Sequence, residues 1–106
     1  MKPFKLRICG QTVTVSPDDF ADIDDPIERE NRMGEWCPFT GQIRLSVALA
    51  NDAKYDALFH EVMEAANTIQ ALKLTHPNIQ RLGAFWFAFI RDNPKLIRKL
   101  LDSVRK

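Results

Sequence analysis

Apolar and polar residues alternate twice at the start of the chain, in Phe4-Lys-Leu-Arg-Ile8 and in Thr12-Val-Thr-Val15, around a Cys9-Gly10-Gln11 break. Period-two alternation interrupted by a glycine predicts a half-buried β-hairpin over residues 4–15. Ser16 to Arg32 is acidic at its start, holds Pro17 and Pro26 and shows no clean period. It is read as a long connection containing a short helical turn, of a length that in small domains often serves function. Turn residues fill Gly34 to Gly41 ahead of Gln42-Ile-Arg-Leu-Ser46, where Ile43 and Leu45 share a face. This predicts a further strand, with a short partner around Glu35 to Cys37.

From about Asp52 the period becomes helical. Leu58, Val62, Ala65, Ala66, Ile69 and Leu72 fall on one stripe at 100° per residue, the expected core face. His60, Glu64 and Asn67 lie on roughly the opposite side, since residues four and seven apart stack on one face. Thr75-His76-Pro77 interrupts, and proline suits a first helical turn. A second helix is expected from about Pro77 to Asp92, with Ile79, Leu82, Trp86, Phe89 and Ile90 as its core stripe. Asn93-Pro94 ends it, and a last helix from Lys95 to about Val104 carries Leu96, Ile97, Leu100 and Leu101 on one side. A small N-terminal antiparallel or mixed sheet followed by about three helices is an α+β arrangement, read as one domain over residues 1–106.

Composition narrows the classes. The 106 residues, 45% hydrophobic and 27% charged, suit a single folded core rather than a disordered chain. Fifteen Lys plus Arg against 14 Asp plus Glu leave a net +1, so the chain as a whole has no strong attraction for nucleic acid or an anionic membrane. The longest apolar run, Leu82 to Ile90, is about half of the roughly 18 residues a membrane span needs. The first residues lack the apolar stretch and cleavage site of a secretory signal, which points to the cytosol. Cys9 and Cys37 form no CxxC pair and are expected to be reduced, buried, structural thiols.

The most informative segment is His60-Glu61-Val62-Met63-Glu64. On a helix its first and fifth residues project from adjacent turns of one face, the spacing by which H-E-x-x-H holds zinc while its second residue acts on the water. A carboxylate is an acceptable zinc ligand, so Glu64 changes the charge of such a site but keeps its geometry. The third ligand depends on where the first helix stops. If it ends near Gln70, the chain can run back and bring His76 to the metal. If it continues straight to Leu74, His76 lies about 24 Å from His60 along the axis, and Asp92 on an antiparallel second helix becomes the reserve ligand. Two histidines and a carboxylate are also the ligand set of non-haem Fe(II) oxygenases, but nothing in the pattern suggests their fold, so zinc ranks first.

Taken together, the Gly41-x-Ile43-x-Leu45 stretch, the FHEVMEAAN helix, the Leu72-x-Leu74-x-His76-x-x-Ile79-x-x-Leu82 run and the closing RDNP resemble small phage and prophage proteins of the zincin-like class, near the ImmA/IrrE-type metallopeptidases. The resemblance covers roughly Gly34 to Pro94. It implies a minimal zincin-like fold, zinc held by His60, Glu64 and His76, Glu61 as the general base that activates a zinc-bound water, and a peptide or protein substrate. The chain departs from the better-known pattern in carrying Glu64 where a second histidine stands and in having few residues left to build a substrate cleft. Specificity would then reside in the loops from Ser16 to Arg32 and Glu35 to Gly41.

The competing reading is a non-catalytic phage or prophage interaction module with a degenerate or structural metal site. Its surface would be Phe85-Trp86-Phe87-Ala88-Phe89, a segment apolar nearly all round, for which burial is the default and a dimer face or protein-partner groove the alternative. The basic end, Arg91, Lys95, Arg98, Lys99, Arg105 and Lys106 against Asp92 and Asp102, is read as a solvated face. No stacking aromatics are interleaved there, which weakens a nucleic-acid role.

Overall fold

The structure is a computed structural model that describes residues 2–104. Among these residues the order of elements is β1 (Phe4–Ile8), β2 (Gln11–Asp18), α1 (Pro26–Asn31), β3 (Gly34–Cys37), β4 (Gln42–Ser46), α2 (Asn51–Gln70), α3 (His76–Asp92) and α4 (Pro94–Val104). The expected hairpin is present. Cys9 and Gly10 both have positive φ, 49° and 80°, the two-residue turn whose twist matches that of the flanking strands. It sets the register from Phe4↔Val15 to Ile8↔Gln11.

β2 runs on past Val15. Ser16, Pro17 and Asp18 pair in parallel with β4, so the connection starts at Asp19 rather than at Ser16. Pro17 is tolerated because β1 pairs β2 only as far as Val15, which leaves the strand locally flanked on one side. The result is a mixed sheet in the order β1-β2-β4-β3, parallel only between β2 and β4. Followed by three C-terminal helices, it makes the chain α+β.

Alternation places Ile8, Val13, Val15, Ile43 and Leu45 on one sheet face, where α2 covers them with Ala57, Leu58 and Ala65. Val62, Ala66 and Ile69 pack against this core as expected. Leu72 does not: α2 has already ended, and the side chain is exposed. Arg44 extends from β4 into a carboxylate cluster, 3.2 Å from Asp18, 3.2 Å from Asp22 and 2.8 Å from Glu35, with its guanidinium over the buried Phe20 ring. Burial alone would lower the Arg44 pKa, but the three carboxylates outweigh it and hold the charge.

α3 packs along α2 and buries Ile79 and Gly83. The expected stripe errs at Trp86, which is 44% exposed beside Phe85 at 55%. α3 is turned so that Phe87 meets Phe59, with ring centroids 5.8 Å apart, while Phe85 stacks on Phe89 and Trp86 meets both edge-on. α4 contacts α3 alone among the described elements and buries no residue. The cysteines are free thiols, but Cys9 is exposed, in the hairpin turn, and Cys37 only half-buried, at the end of β3 and alternate to Trp36, which packs on the core. Arg105 and Lys106, counted above in the basic end, lie outside the described residues.

Candidate metal centre

The site begins where α2 stops. Just past Gln70, Ala71 takes left-handed dihedrals, and the Ala71 and Leu72 N–H groups donate back to the Thr68 and Asn67 carbonyls. These paired bonds are the Schellman arrangement, built here on alanine instead of the usual glycine. Asn67 then fastens the returning chain: its Oδ1 accepts from the Leu74 N–H at 2.8 Å and its Nδ2 donates to the Leu74 carbonyl at 3.5 Å. Thr75 caps α3, accepting from the Asn78 N–H at 3.4 Å. His76 is therefore the first residue of α3, one position earlier than expected, and it faces α2.

This turn meets the condition on which His76 depended. Its Nδ1 lies 3.1 Å from Glu64 Oε1, and His60 Nε2 lies 3.6 Å from the same oxygen. One donor atom from each of His60, Glu64 and His76 falls within 4.8 Å of the others. A tetrahedral ion with bonds near 2.1 Å wants its donors about 3.4 Å apart, so the trio needs only a small closing movement. Burial and the neighbouring His76 push the His60 imidazole below its ordinary pKa against the pull of Glu64, which favours the neutral form a metal requires. The donor set, two imidazoles and one carboxylate, fits zinc. Asp92, the reserve ligand, is excluded by the same geometry: it stands at the far end of α3, paired with Arg91 at 3.2 Å.

Glu61 sits on the adjoining side of α2, 8% exposed and directed at β3. Burial and the nearby Glu64 push its carboxyl up to about 7, partly offset by Arg32 and by the Trp36 backbone N–H. Gly34 makes this placement possible. A Cβ there would come within 3.0 Å of Glu61 Cγ and 3.1 Å of Oε2. Gly83 does the same for the helix pair, since a Cβ would fall 3.1 Å from the His60 Cα and N. Trp36 Nε1 donates to Thr68 Oγ1 at 3.2 Å, tying β3 to α2.

A cleft of about 560 Å³ opens beside the trio, lined by Glu28, Arg32, Gly34, Asp56, His60, Glu61, His76 and Gln80 among others. A smaller recess of about 260 Å³ adjoins it past Glu35, Trp36 and Glu64. Arg32, Gly34 and Gly83 were not singled out from the sequence. A glycine inside an otherwise helical run at Gly83 is the one available signal, because it costs helix stability relative to alanine and leaves room for a close neighbour. Comparison with known proteins finds no matching family model, curated protein or solved structure, so the chemistry of this centre rests on its geometry.

Proposed function

We propose that the protein is a zinc-dependent hydrolase, a peptidase acting on peptide or protein substrates in the cytosol, of the zincin-like phage and prophage kind that its sequence resembles. The observation that carries this reading is the convergence of His60, Glu64 and His76 donor atoms within 4.8 Å beside a cleft that also holds Glu61. Bound zinc would supply Lewis acidity, polarising a carbonyl and lowering the pKa of water.

The chain's own groups supply the rest. Glu61, with its carboxyl near 7, can take a proton from the attacking water and return it to the leaving amine. Glu64 brings a negative charge to the ligand set, which tempers the ion's acidity relative to an all-imidazole site. β3 is an edge strand, and the Ser46 N–H donating to the Met33 carbonyl fixes which of its groups face β4. By alternation from that pair, Gly34 and Trp36 turn their backbone groups outward. An extended peptide laid on this edge would pass over Glu61. The free thiols of Cys9 and Cys37 accord with a reducing compartment.

A second reading, a non-catalytic module that binds a protein partner or a second copy through the Phe85–Phe89 segment, is favoured by the exposure of Phe85 and Trp86. Elemental analysis of untagged protein, followed by turnover of unstructured protein substrates, separates the two. The hydrolase reading expects near-stoichiometric zinc, lost in His60→Ala and Glu64→Ala without unfolding. It also expects Glu61→Gln to keep the metal and lose at least about 100-fold in turnover. Absence of zinc uptake at neutral pH would retire the hydrolase.

A further inference from the structure

The net charge of +1 conceals a segregation. From Pro94 onward the sequence has five basic residues, Lys95, Arg98, Lys99, Arg105 and Lys106, against Asp102, a local +4 that leaves −3 on the first 93 residues. The same segment begins with α4, whose Leu96, Ile97, Leu100, Leu101 and Val104 recur at three- and four-residue spacing and so share one face. Nothing among the described residues covers most of it. Leu96, Leu100, Leu101 and Val104 are 47%, 54%, 48% and 70% exposed, and only the inner margin meets α3, where Ile90, Ile97 and Leu101 border a shallow groove. By helical spacing Lys95, Arg98, Lys99 and Asp102 fall off the leucine face, with Arg98 and Asp102 on the margin of that same groove.

We propose that α4 is a membrane-surface helix, laying its leucine face into the headgroup region of an anionic bilayer while its lysines and arginines meet the lipid charges. Two observations select this occupant. A second copy docked through the leucine face would cover the leucines but leave the basic residues on the far side of each helix without a partner, and phosphates of a nucleic acid would satisfy the basic residues but leave the leucines in water. An anionic lipid surface is complementary to both faces at once. The helix rests on the surface and does not cross, since no described helix is long and apolar enough to span a bilayer. The −3 body is repelled by the same surface, which orients the molecule with α4 toward lipid and the α2–β3 cleft free.

The test is co-sedimentation of the full chain with vesicles of phosphatidylcholine containing phosphatidylglycerol, beside vesicles of phosphatidylcholine alone. Binding is expected on the anionic vesicles at low salt, reduced at least about tenfold on neutral vesicles or at about 0.5 M salt, where surface charges are screened. Leu100→Glu with Leu101→Glu, and separately Lys95→Glu with Arg98→Glu, should each lower it about tenfold or more. Because α4 buries no residue, both pairs should leave the circular dichroism and thermal transition of the protein in place. No binding to anionic vesicles at low salt overturns the proposal. So does binding that survives the leucine changes, which would mean phosphate attraction alone, and so does a concentration-dependent dimer abolished by the leucine changes, which would mean that a second copy covers the face.

Discussion

At the scale of single residues, the centre depends on a side chain that is missing. Glu61 can stand buried against β3 only because Gly34 has no Cβ, and the nearest atoms to that absent group are Glu61 Cγ at 3.0 Å, Glu61 Oε2 at 3.1 Å and the Arg44 carbonyl oxygen at 3.3 Å. Gly34→Ala should therefore act as an overpacking change, destabilising by about 1–3 kcal/mol in urea unfolding. Most of that cost should vanish in a Glu61→Ala background, because the side chain that must give way is gone. An equal cost in both backgrounds would place the strain in the β3–β4 backbone instead. This dependence was not legible in the sequence. Gly34 reads there as one more turn residue ahead of a strand, and only the placement of Glu61 gives it a role.

At the scale of elements, the decisive event is the end of α2. The sequence left two helix lengths open, and with them two third ligands, because Gln70 to Leu74 contains neither glycine nor proline to force a stop. The stop is made by Ala71 in left-handed dihedrals and by Asn67, which holds Leu74 through both of its amide atoms. Asn67 had been grouped with His60 and Glu64 by helical spacing, and it serves them by aiming the chain that brings His76 back. Asn67→Ala should cost about 1–2 kcal/mol of stability and weaken zinc binding about 10–100-fold, as loss of an outer-shell support does. Ala71→Gly should instead stabilise by about 1 kcal/mol, relieving the left-handed alanine, with zinc affinity kept. Competition with a chromophoric chelator, alongside urea unfolding, separates the two effects. Equal zinc affinity in wild type and Asn67→Ala would mean that His76 finds its place without this clamp.

The strands carry a second element-scale device in the Arg44 cluster. The Phe20 N–H, with Arg44, holds the Asp18 carboxyl below its ordinary range despite some burial. A carboxyl lowered in the folded state contributes stability that is present above its unfolded pKa, about 3.9, and is lost as pH falls through the folded value. Wild type should accordingly exceed Asp18→Asn in stability at neutral pH, and the gap should narrow as pH drops below about 4. Unfolding midpoints measured across that range check it, and a gap constant with pH would assign the difference to something other than the charge.

At the scale of the whole molecule, the features legible in the sequence are those repeated along it. Alternation located the sheet and helical period located α2, α3 and α4, because many residues vote for each. The features that escaped rest on single atoms or on orientation: the extension of β2 to Asp18, the rotation of α3 that exposes Trp86, the hairpin turn and the strand end that leave Cys9 and Cys37 unburied. The trio itself was half legible, His60 and Glu64 from spacing and His76 only from a helix end that spacing could not set. That division has an energetic counterpart. His60 and Glu64 belong to one helix, whereas His76 belongs to the next, so an ion shared by the three would tie α2 to α3 across the turn at residues 71–75. A chain of this size buries a limited core, and a ligand that binds only the folded state adds RT ln(1 + [L]/Kd) to its stability. With free zinc held at about 100 times its Kd, the protein should gain about 2.7 kcal/mol in chemical unfolding. The gain should be absent in His76→Ala and in His60→Ala, and retained in Glu61→Gln, which removes a proton acceptor but no ligand. A gain that survives His76→Ala would mean that the metal is held on α2 alone and that the two helices are joined by packing at Gly83 without its help.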